Sequence, residues 1–168
     1  MKKFRLYFDK DKEERWLNKL CEEGWVVKEF FLGVYHFERC EPGEYIYRID
    51  LLPNWEGDKM HFVSFMEESG VEFVCQWYRW VYLRKKAADG PFELYTDAES
   101  MKQQYERIMK FFLVGFIVEF LLGFNVINSL SYHFNLFSVI VVSMLVMIEL
   151  VFLIMVLKCR KKIKSLSD

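Results

Sequence analysis

Two carboxylates interrupt the apolar C-terminal part of the sequence. Between positions 111 and 157, Glu119 and Glu149 are the only Asp, Glu, Lys or Arg residues. Each lies eight residues inside its end of that stretch, so an antiparallel hairpin would place both at about the same depth. Burying an ionised side chain in a membrane costs about 3 kcal/mol or more, so we expect each glutamate to be neutral, paired or facing water.

Small residues accompany both carboxylates. Gly115 and Gly123 share a helical face with Glu119, and Ser138 lies close to the face of Glu149. Such residues allow helices to approach closely. The pattern indicates a proton or cation site, or a polar contact with the spans of a partner. Alternatively, the two acids hydrogen-bond to each other or across a homo-oligomer.

A second candidate site is aromatic. Of the 31 aromatic residues, 21 lie in the first 100 positions, which is many for one small core. An aromatic face with polar ends suits a greasy or cationic small molecule, a protein interface or lipid headgroups. Ordinary sheet packing is the alternative. The predicted ligand or partner surface comprises Tyr45, Tyr47, Trp77, Tyr78, Trp80, Tyr82 and Arg84.

Other chemistry has little support. The three histidines lack metal-ligand spacing, and no phosphate loop, nucleophile elbow or HExxH motif occurs, so we expect no catalytic residue, metal or cofactor. No strongly basic face points to nucleic acid. The tail at 158–168 carries five cations that can meet anionic headgroups or simply fix the topology.

Two segments have the length and composition of membrane helices. They span 111–130 and 136–157, joined by a connection at 131–135 that is long enough only for a tight hairpin. Cations precede the first segment and follow the second, whereas the connection has none. The positive-inside rule therefore predicts a two-pass cell-membrane protein with both termini in the cytoplasm. The N-terminus lacks the apolar region of a cleaved signal peptide.

The first 95 residues are predicted to form a duplicated α+β cytoplasmic domain. The halves, about 1–41 and 42–86, each have the pattern strand–helix–strand–strand, and their first strands are predicted at 4–8 and 45–51. Asp9 or Asp11 can cap the first helix and Asn54 the second. Sliding the sequence by 46 superposes the helices, Gly24 on Gly70 and Phe37 on Leu83; sliding by 41 superposes 4–9 on 45–50. We expect one antiparallel sheet system with both helices on one face.

The remaining elements connect this domain to the membrane. The strand predicted at 77–84 is followed by Thr96 and Glu99, which form a capping box that starts a linker helix. No glycine or proline interrupts 97–112, so the predicted helix continues to 130 as a rod that transmits movement or as a plain stalk. Because the four cysteines lack CxxC spacing and three of them are predicted to be cytoplasmic, we expect free thiols.

Several short motifs resemble a known bacterial family. They are FRLYF at 4–8, EGW at 23–25, YIYRID at 45–50 and ELYTD at 93–97, with Trp16 and the pair Trp77 and Tyr78 between them. They are similar to the domain of unknown function numbered 2812, whose genes often lie beside those of PadR-type transcription regulators. The resemblance implies no catalytic or binding residues. The tandem halves also resemble, in topology alone, GyrI-like domains that bind small molecules between their repeats.

The sequence therefore favours a non-enzymatic regulatory or sensory protein. Its cytoplasmic aromatic domain would bind an amphiphilic small molecule or a partner protein, and the linker helix would pass the event to the membrane. The alternative is an accessory subunit that docks through its two spans into a transporter or another membrane complex. Expected partners are membrane lipid and the chain itself or another membrane protein, because one hairpin leaves much apolar surface uncovered.

Overall fold

A computed structural model describes residues 1–52, 59–130 and 136–167. The described chain divides into two compact units, Met1–Thr96 and Asp97–Asp168. The predicted cap at Asn54 and the predicted connection at 131–135 lie outside the described residues.

The first repeat places one helix on a three-stranded antiparallel sheet. Its elements are β1 (Lys2–Phe4), α1 (Lys10–Glu22), β2 (Trp25–Phe31) and β3 (Val34–Arg39), and the strand order is β1-β3-β2. Asp9 caps α1, as predicted, because its carboxylate accepts the backbone N–H of Asp11 at 3.1 Å. The buried face of α1 carries Leu17, Leu20 and Cys21.

The second repeat has the same topology. It comprises β4 (Tyr45–Leu51), α2 (Lys59–Glu68), β5 (Glu72–Trp77) and β6 (Trp80–Lys86), with the strand order β4-β6-β5. Phe62 and Met66 of α2 pack with Val71, Leu83 and Phe92 in a second apolar cluster. A 3-10 turn, Ala87–Asp89, follows β6.

Backbone irregularities recur at equivalent positions of the two repeats. A bulge between Val27 and Glu29 matches one between Phe73 and Cys75, each 46 residues further on. Leu32 and Tyr78, also 46 apart, are the two described non-glycine residues with positive φ, 45° and 57°. Bulges and left-handed residues follow from backbone geometry rather than composition. Their recurrence supports the internal duplication.

The register corrects two sequence predictions about strands. The first strand ends at Phe4, not at position 8, because its partner β3 begins at Val34 opposite Phe4. Leu51 is the corresponding last residue of β4, opposite Trp80, so Phe4 is equivalent to Leu51 and not to Tyr45. The predicted slide of 41 was therefore wrong, and one offset of about 46 relates the two repeats throughout.

The two sheets also differ from the single sheet that the sequence suggested. The helix α1 contacts both β2 and β4, and β2 contacts β5. Tyr47 and Ile49 of β4 join the cluster around α1, whereas Leu83 of β6 joins the cluster around α2. Because neighbouring strand residues point to opposite faces, the second sheet has α1 on one face and α2 on the other.

Side chains close the exposed edges where the repeats meet. Asn18 accepts the N–H of Tyr47 at 2.7 Å, and Glu14 accepts the N–H of Ile49 at 2.8 Å, so α1 covers the edge of β4. The hydroxyl of Tyr47 accepts the N–H of Val27 at 2.9 Å on the facing edge of β2. These hydrogen bonds satisfy backbone groups that would otherwise be available for pairing with another chain.

The second unit consists of two long helices. They are α3 (Ala98–Leu130) and α4 (Leu136–Ser167), and both are long and apolar enough to cross a membrane. The helix α3 is continuous from the linker into its apolar part, about 50 Å at 1.5 Å per residue. Residues 158–167 of the basic tail are the last part of α4, so they are helical.

The cap of α3 lies one residue later than predicted. The carboxylate of Asp97, not the hydroxyl of Thr96, accepts the backbone N–H of Ser100 at 2.8 Å. Hydrogen bonds from Ser100 hold the pKa of Asp97 below its ordinary value. A charged carboxylate complements the positive end of the helix dipole, which favours Asp97 over a neutral hydroxyl.

Candidate functional site

The predicted aromatic surface is split between the core and the periphery. Tyr47 and Tyr82 are buried between the repeats, so assigning them to a surface was wrong. Trp80 is half-buried and packs against the same core. The side chain of Arg84 lies over the ring of Tyr45 at 4.2 Å and pairs with a glutamate of β5. Tyr45, Tyr47, Trp80 and Tyr82 therefore pack in or against the core that the two repeats share, and Arg84 pairs within the second repeat.

A buried carboxylate lies at the centre of this packing. Glu13 of α1 accepts hydrogen bonds from the hydroxyls of Tyr35 at 2.5 Å and Tyr82 at 2.7 Å. Tyr35 comes from the first sheet and Tyr82 from the second. The ring of Phe30 lies between them, 4.5 Å from Tyr35 and 5.1 Å from Tyr82. The glutamate thus connects both repeats through one oxygen.

Burial determines the ionisation of this cluster. It raises the pKa of Glu13 to about 7, against the two tyrosine hydrogen bonds, which lower it. Burial and the charge of Glu13 raise the pKa of Tyr35 and Tyr82 above the ordinary value for tyrosine. Both phenols therefore remain hydrogen-bond donors, and Glu13 changes its charge near neutral pH.

The exposed part of the aromatic set lies at the tips of two hairpins. Phe31 is the last residue of β2 and Leu32 lies in the turn after it, with 67% and 55% of their surface exposed. The equivalent residues Trp77, which ends β5, and Tyr78, in the following turn, are 37% and 49% exposed. The ring of Phe30 contacts that of Trp77 edge-on at 6.1 Å. The two tips therefore lie side by side.

The N-terminal strand extends this apolar area. The backbone N–H of Arg5 donates to the carbonyl of Gly33 at 2.7 Å, next to the first tip. Phe4 and Leu6 flank this hydrogen bond and are largely exposed. We call the combined area the hairpin-tip surface; it consists of Phe4, Leu6, Phe31, Leu32, Trp77 and Tyr78.

A shallow cleft lies elsewhere, on the outer face of the first sheet. It has a volume of about 310 Å³ and includes Lys28, Glu29, His36 and Glu38 in its lining. Lys28 pairs with Glu38 at 2.6 Å, and His36 faces Glu29 at 3.7 Å. Most residues of its lining are charged or polar, so the cleft is a solvated, charge-paired face and differs from the predominantly apolar pockets that bind small ligands.

Among the predicted intramembrane residues, Glu119, Glu149, Gly115 and Ser138 have buried atoms or close contacts where α3 packs on α4. Glu119 and Glu149 interact electrostatically, which agrees with their predicted equal depth. A Cβ atom on Gly115 would lie 3.1 Å from the ring of Phe152, so that glycine permits close packing. Ser138 is buried, whereas Gly123 has open space beside it.

The two carboxylates do not satisfy each other. Among the residues that the structure describes, both carboxylate oxygens of Glu149 and Oε1 of Glu119 are buried and have no hydrogen-bond partner. The mutual hydrogen bond considered for the pair is therefore not present. Buried polar atoms of this kind normally have a partner.

Comparison with known proteins adds a family but no activity. The model of the family described as "Protein of unknown function (DUF2812)" matches residues 9–117, which include most of the N-terminal unit and the first part of α3. No curated protein and no solved structure matches the chain.

Proposed function

The chain belongs to the DUF2812 family of unknown function, and from that premise we propose that it is a non-catalytic regulatory or sensory membrane protein. Its N-terminal unit binds an amphiphile at the hairpin-tip surface. The observation that carries the proposal is the exposure of four bulky apolar side chains at two equivalent tips. Exposed apolar clusters on small domains usually mark binding sites.

The location of the binding site follows from the packing of the repeats. A ligand between the repeats, as in the GyrI-like domains, would compete with Tyr47 and Tyr82, which fill that interface. The hairpin-tip surface needs no such displacement. Backbone strain at Leu32 and Tyr78 supports this choice, since bulky residues adopt positive φ at a cost of about 1 kcal/mol or more.

We also propose an orientation in the membrane and a route by which binding is passed on. Cations before the first apolar segment and after the second favour cytoplasmic termini, and we propose on this ground that the N-terminal unit is cytoplasmic. Because α3 is one uninterrupted helix, it gives a route by which binding is passed to the membrane. A regulatory role also fits the family resemblance, which implies neighbouring genes for PadR-type transcription regulators.

Polar residues at the two tips are expected to weaken amphiphile binding. We choose Leu32→Asn and Tyr78→Asn because asparagine tolerates positive φ, so the fold should survive. Removing two apolar contacts should weaken laurate binding by about tenfold or more. The measurement is a titration of the full chain in amphipol with laurate, followed by tryptophan fluorescence.

The control replaces an exposed phenylalanine outside the surface. Phe65 of α2 is 63% exposed, and Phe65→Asn should leave laurate affinity unchanged. Equal affinities for wild type and the double variant would contradict amphiphile binding at the tips. If a partner protein binds through the tips and the chain shows no laurate response, the ligand of the hairpin-tip surface is a protein and not an amphiphile.

A second candidate function is that of an accessory subunit. It is favoured by the unsatisfied oxygens of Glu119 and Glu149, which a polar group of another membrane protein could bind. We expect Glu119→Gln with Glu149→Gln to reduce assembly several-fold, in native nanodiscs sized by mass photometry. The control is Glu106→Gln, which lies on α3 before the apolar stretch. An unchanged particle mass in the double variant would exclude this function.

A further inference from the structure

We infer that the hairpin-tip surface docks onto the anionic surface of a lipid bilayer. The inference rests on the proposed function, because it identifies the amphiphile as an assembled lipid surface rather than a dissolved ligand. Its first support is the chemistry of the tips. Phe31, Leu32, Trp77 and Tyr78 combine apolar bulk with the aromatic residues that favour the headgroup region.

Charge complementarity supports an anionic surface. Residues 1–8 contain Lys2, Lys3 and Arg5 and no carboxylate, and the two tip segments, 30–35 and 76–81, add Arg79 and no carboxylate. The first 100 residues as a whole carry 15 basic and 20 acidic side chains. The cations are therefore concentrated beside the exposed apolar residues, in an otherwise acidic domain. Basic residues next to apolar anchors attract anionic lipid.

The arrangement of the tips suits a flat partner. Phe30 joins the two tips through Trp77, and Gly33 joins the first tip to the N-terminal strand, so the apolar residues lie at one end of the domain. The guanidinium of Arg5 lies over the rings of Tyr7 and Trp16, at 5.4 and 5.2 Å, which orders this basic residue beside the apolar area. Shallow insertion of several side chains needs no pocket, in agreement with the open geometry.

The connection to the membrane helices makes weak docking sufficient. Only 11 residues, 87–97, separate β6 from α3, and part of this segment is held on the domain, since Phe92 is buried in the second apolar cluster and Tyr95 donates to Asp50 at 2.8 Å. So short a connection keeps the domain at an effective concentration of about millimolar near a bilayer that contains α3 and α4. A surface of six apolar side chains, with Lys2, Lys3 and Arg5 beside them, is enough for reversible binding under these conditions.

Lipid quenching of tryptophan tests the docking in the full chain. The protein is reconstituted as one copy per nanodisc, in phosphatidylcholine alone or with phosphatidylglycerol, and the acyl chains are brominated near the headgroup. All five tryptophans lie before residue 97, so quenching reports on the N-terminal unit. We expect quenching in the anionic discs, most of which disappears in Trp77→Phe.

Charge variants test the electrostatic part. Lys2→Gln with Lys3→Gln should lower the docking equilibrium constant about tenfold in anionic discs. The matched control, Lys12→Gln with Lys19→Gln, changes the net charge equally at exposed positions of α1 and should have no effect. The tip variants Leu32→Asn and Tyr78→Asn should abolish quenching.

The outcomes separate this inference from the proposed function. A laurate response without lipid quenching overturns bilayer docking alone and assigns the surface to a dissolved ligand. Lipid quenching without a laurate response overturns binding of a dissolved amphiphile alone. Quenching that is equal in both bilayers, or unaffected by Trp77→Phe, overturns the docking. Because each disc holds one chain, a surface used by a second copy or a partner protein would give no quenching.

Discussion

Replacing Glu13 by glutamine is expected to stabilise the N-terminal unit by about 3 kcal/mol at pH 8 and by less than about 1 kcal/mol at pH 5. Glu13 is buried and has a pKa of about 7, against an ordinary value of 4.5. Glutamine keeps an oxygen that can accept from Tyr35 and Tyr82, and it never carries the buried charge.

The direction of this pH dependence follows from proton binding to Glu13 in the folded and unfolded states. Between pH 4.5 and about 7, folded Glu13 binds more protons than unfolded Glu13, so the free energy of unfolding of the wild type falls as the pH rises. Above about pH 7 Glu13 is ionised in both the folded and the unfolded state, so its contribution to the free energy of unfolding falls no further. Tyr35→Phe should move this decline to higher pH, because one hydrogen bond that lowers the pKa of Glu13 is removed.

Thermal unfolding of the full chain in detergent, followed by tryptophan fluorescence from pH 5 to 8, measures this difference. About 3 kcal/mol corresponds to about 10 °C or more in Tm for a unit of this size. Glu22→Gln, on the exposed side of α1, is the matched control and should leave the pH profile unchanged. A wild-type Tm that does not fall between pH 5 and 8, or a Glu13→Gln profile that still falls equally, would contradict a neutral Glu13 in the core.

Glu13 was missed by the sequence analysis, although a signal was present. It lies four residues before Leu17 and seven before Leu20, which places it on the apolar face of α1. The neighbouring charges at 9–15 hid this position, because a helix start is commonly acidic. The identity of its two donors was not predictable, since Tyr35 and Tyr82 come from different sheets.

The repeat was predictable from local patterns, and its packing was not. Glycines, alternation and helix spacing predicted β2, β3, β4 and the offset of 46 between the helices. The turn at Tyr78 and Arg79 escaped detection because Arg79 stands where the first repeat has Gly33, so Trp77 was assigned to the wrong strand. Which face of the second sheet meets α1 depends on contacts between the repeats, which no local pattern records.

Adding one methyl group at Gly33 is expected to destabilise the N-terminal unit by about 3 kcal/mol. Gly33 has a φ of 81°, and a Cβ atom would lie 2.7 Å from Cδ2 of Leu6 and 3.1 Å from the carbonyl oxygen of Arg5. An alanine there must adopt a left-handed conformation and also displace the N-terminal strand.

Gly43→Ala isolates the effect of the backbone conformation, because Gly43 has a φ of 74° and open space around its Cβ position. This variant should lower the free energy of unfolding by only about 1 kcal/mol, because only the backbone conformation is strained. Both are measured by thermal unfolding at pH 6, and amide exchange of residues 2–6 should rise only in Gly33→Ala. Since Phe4 and Leu6 belong to the hairpin-tip surface, the same variant should also weaken laurate binding at temperatures where it remains folded. If the two alanines destabilise the unit equally, the N-terminal strand moves away from position 33 without loss of stability. Its contact with the first tip then does not order the hairpin-tip surface.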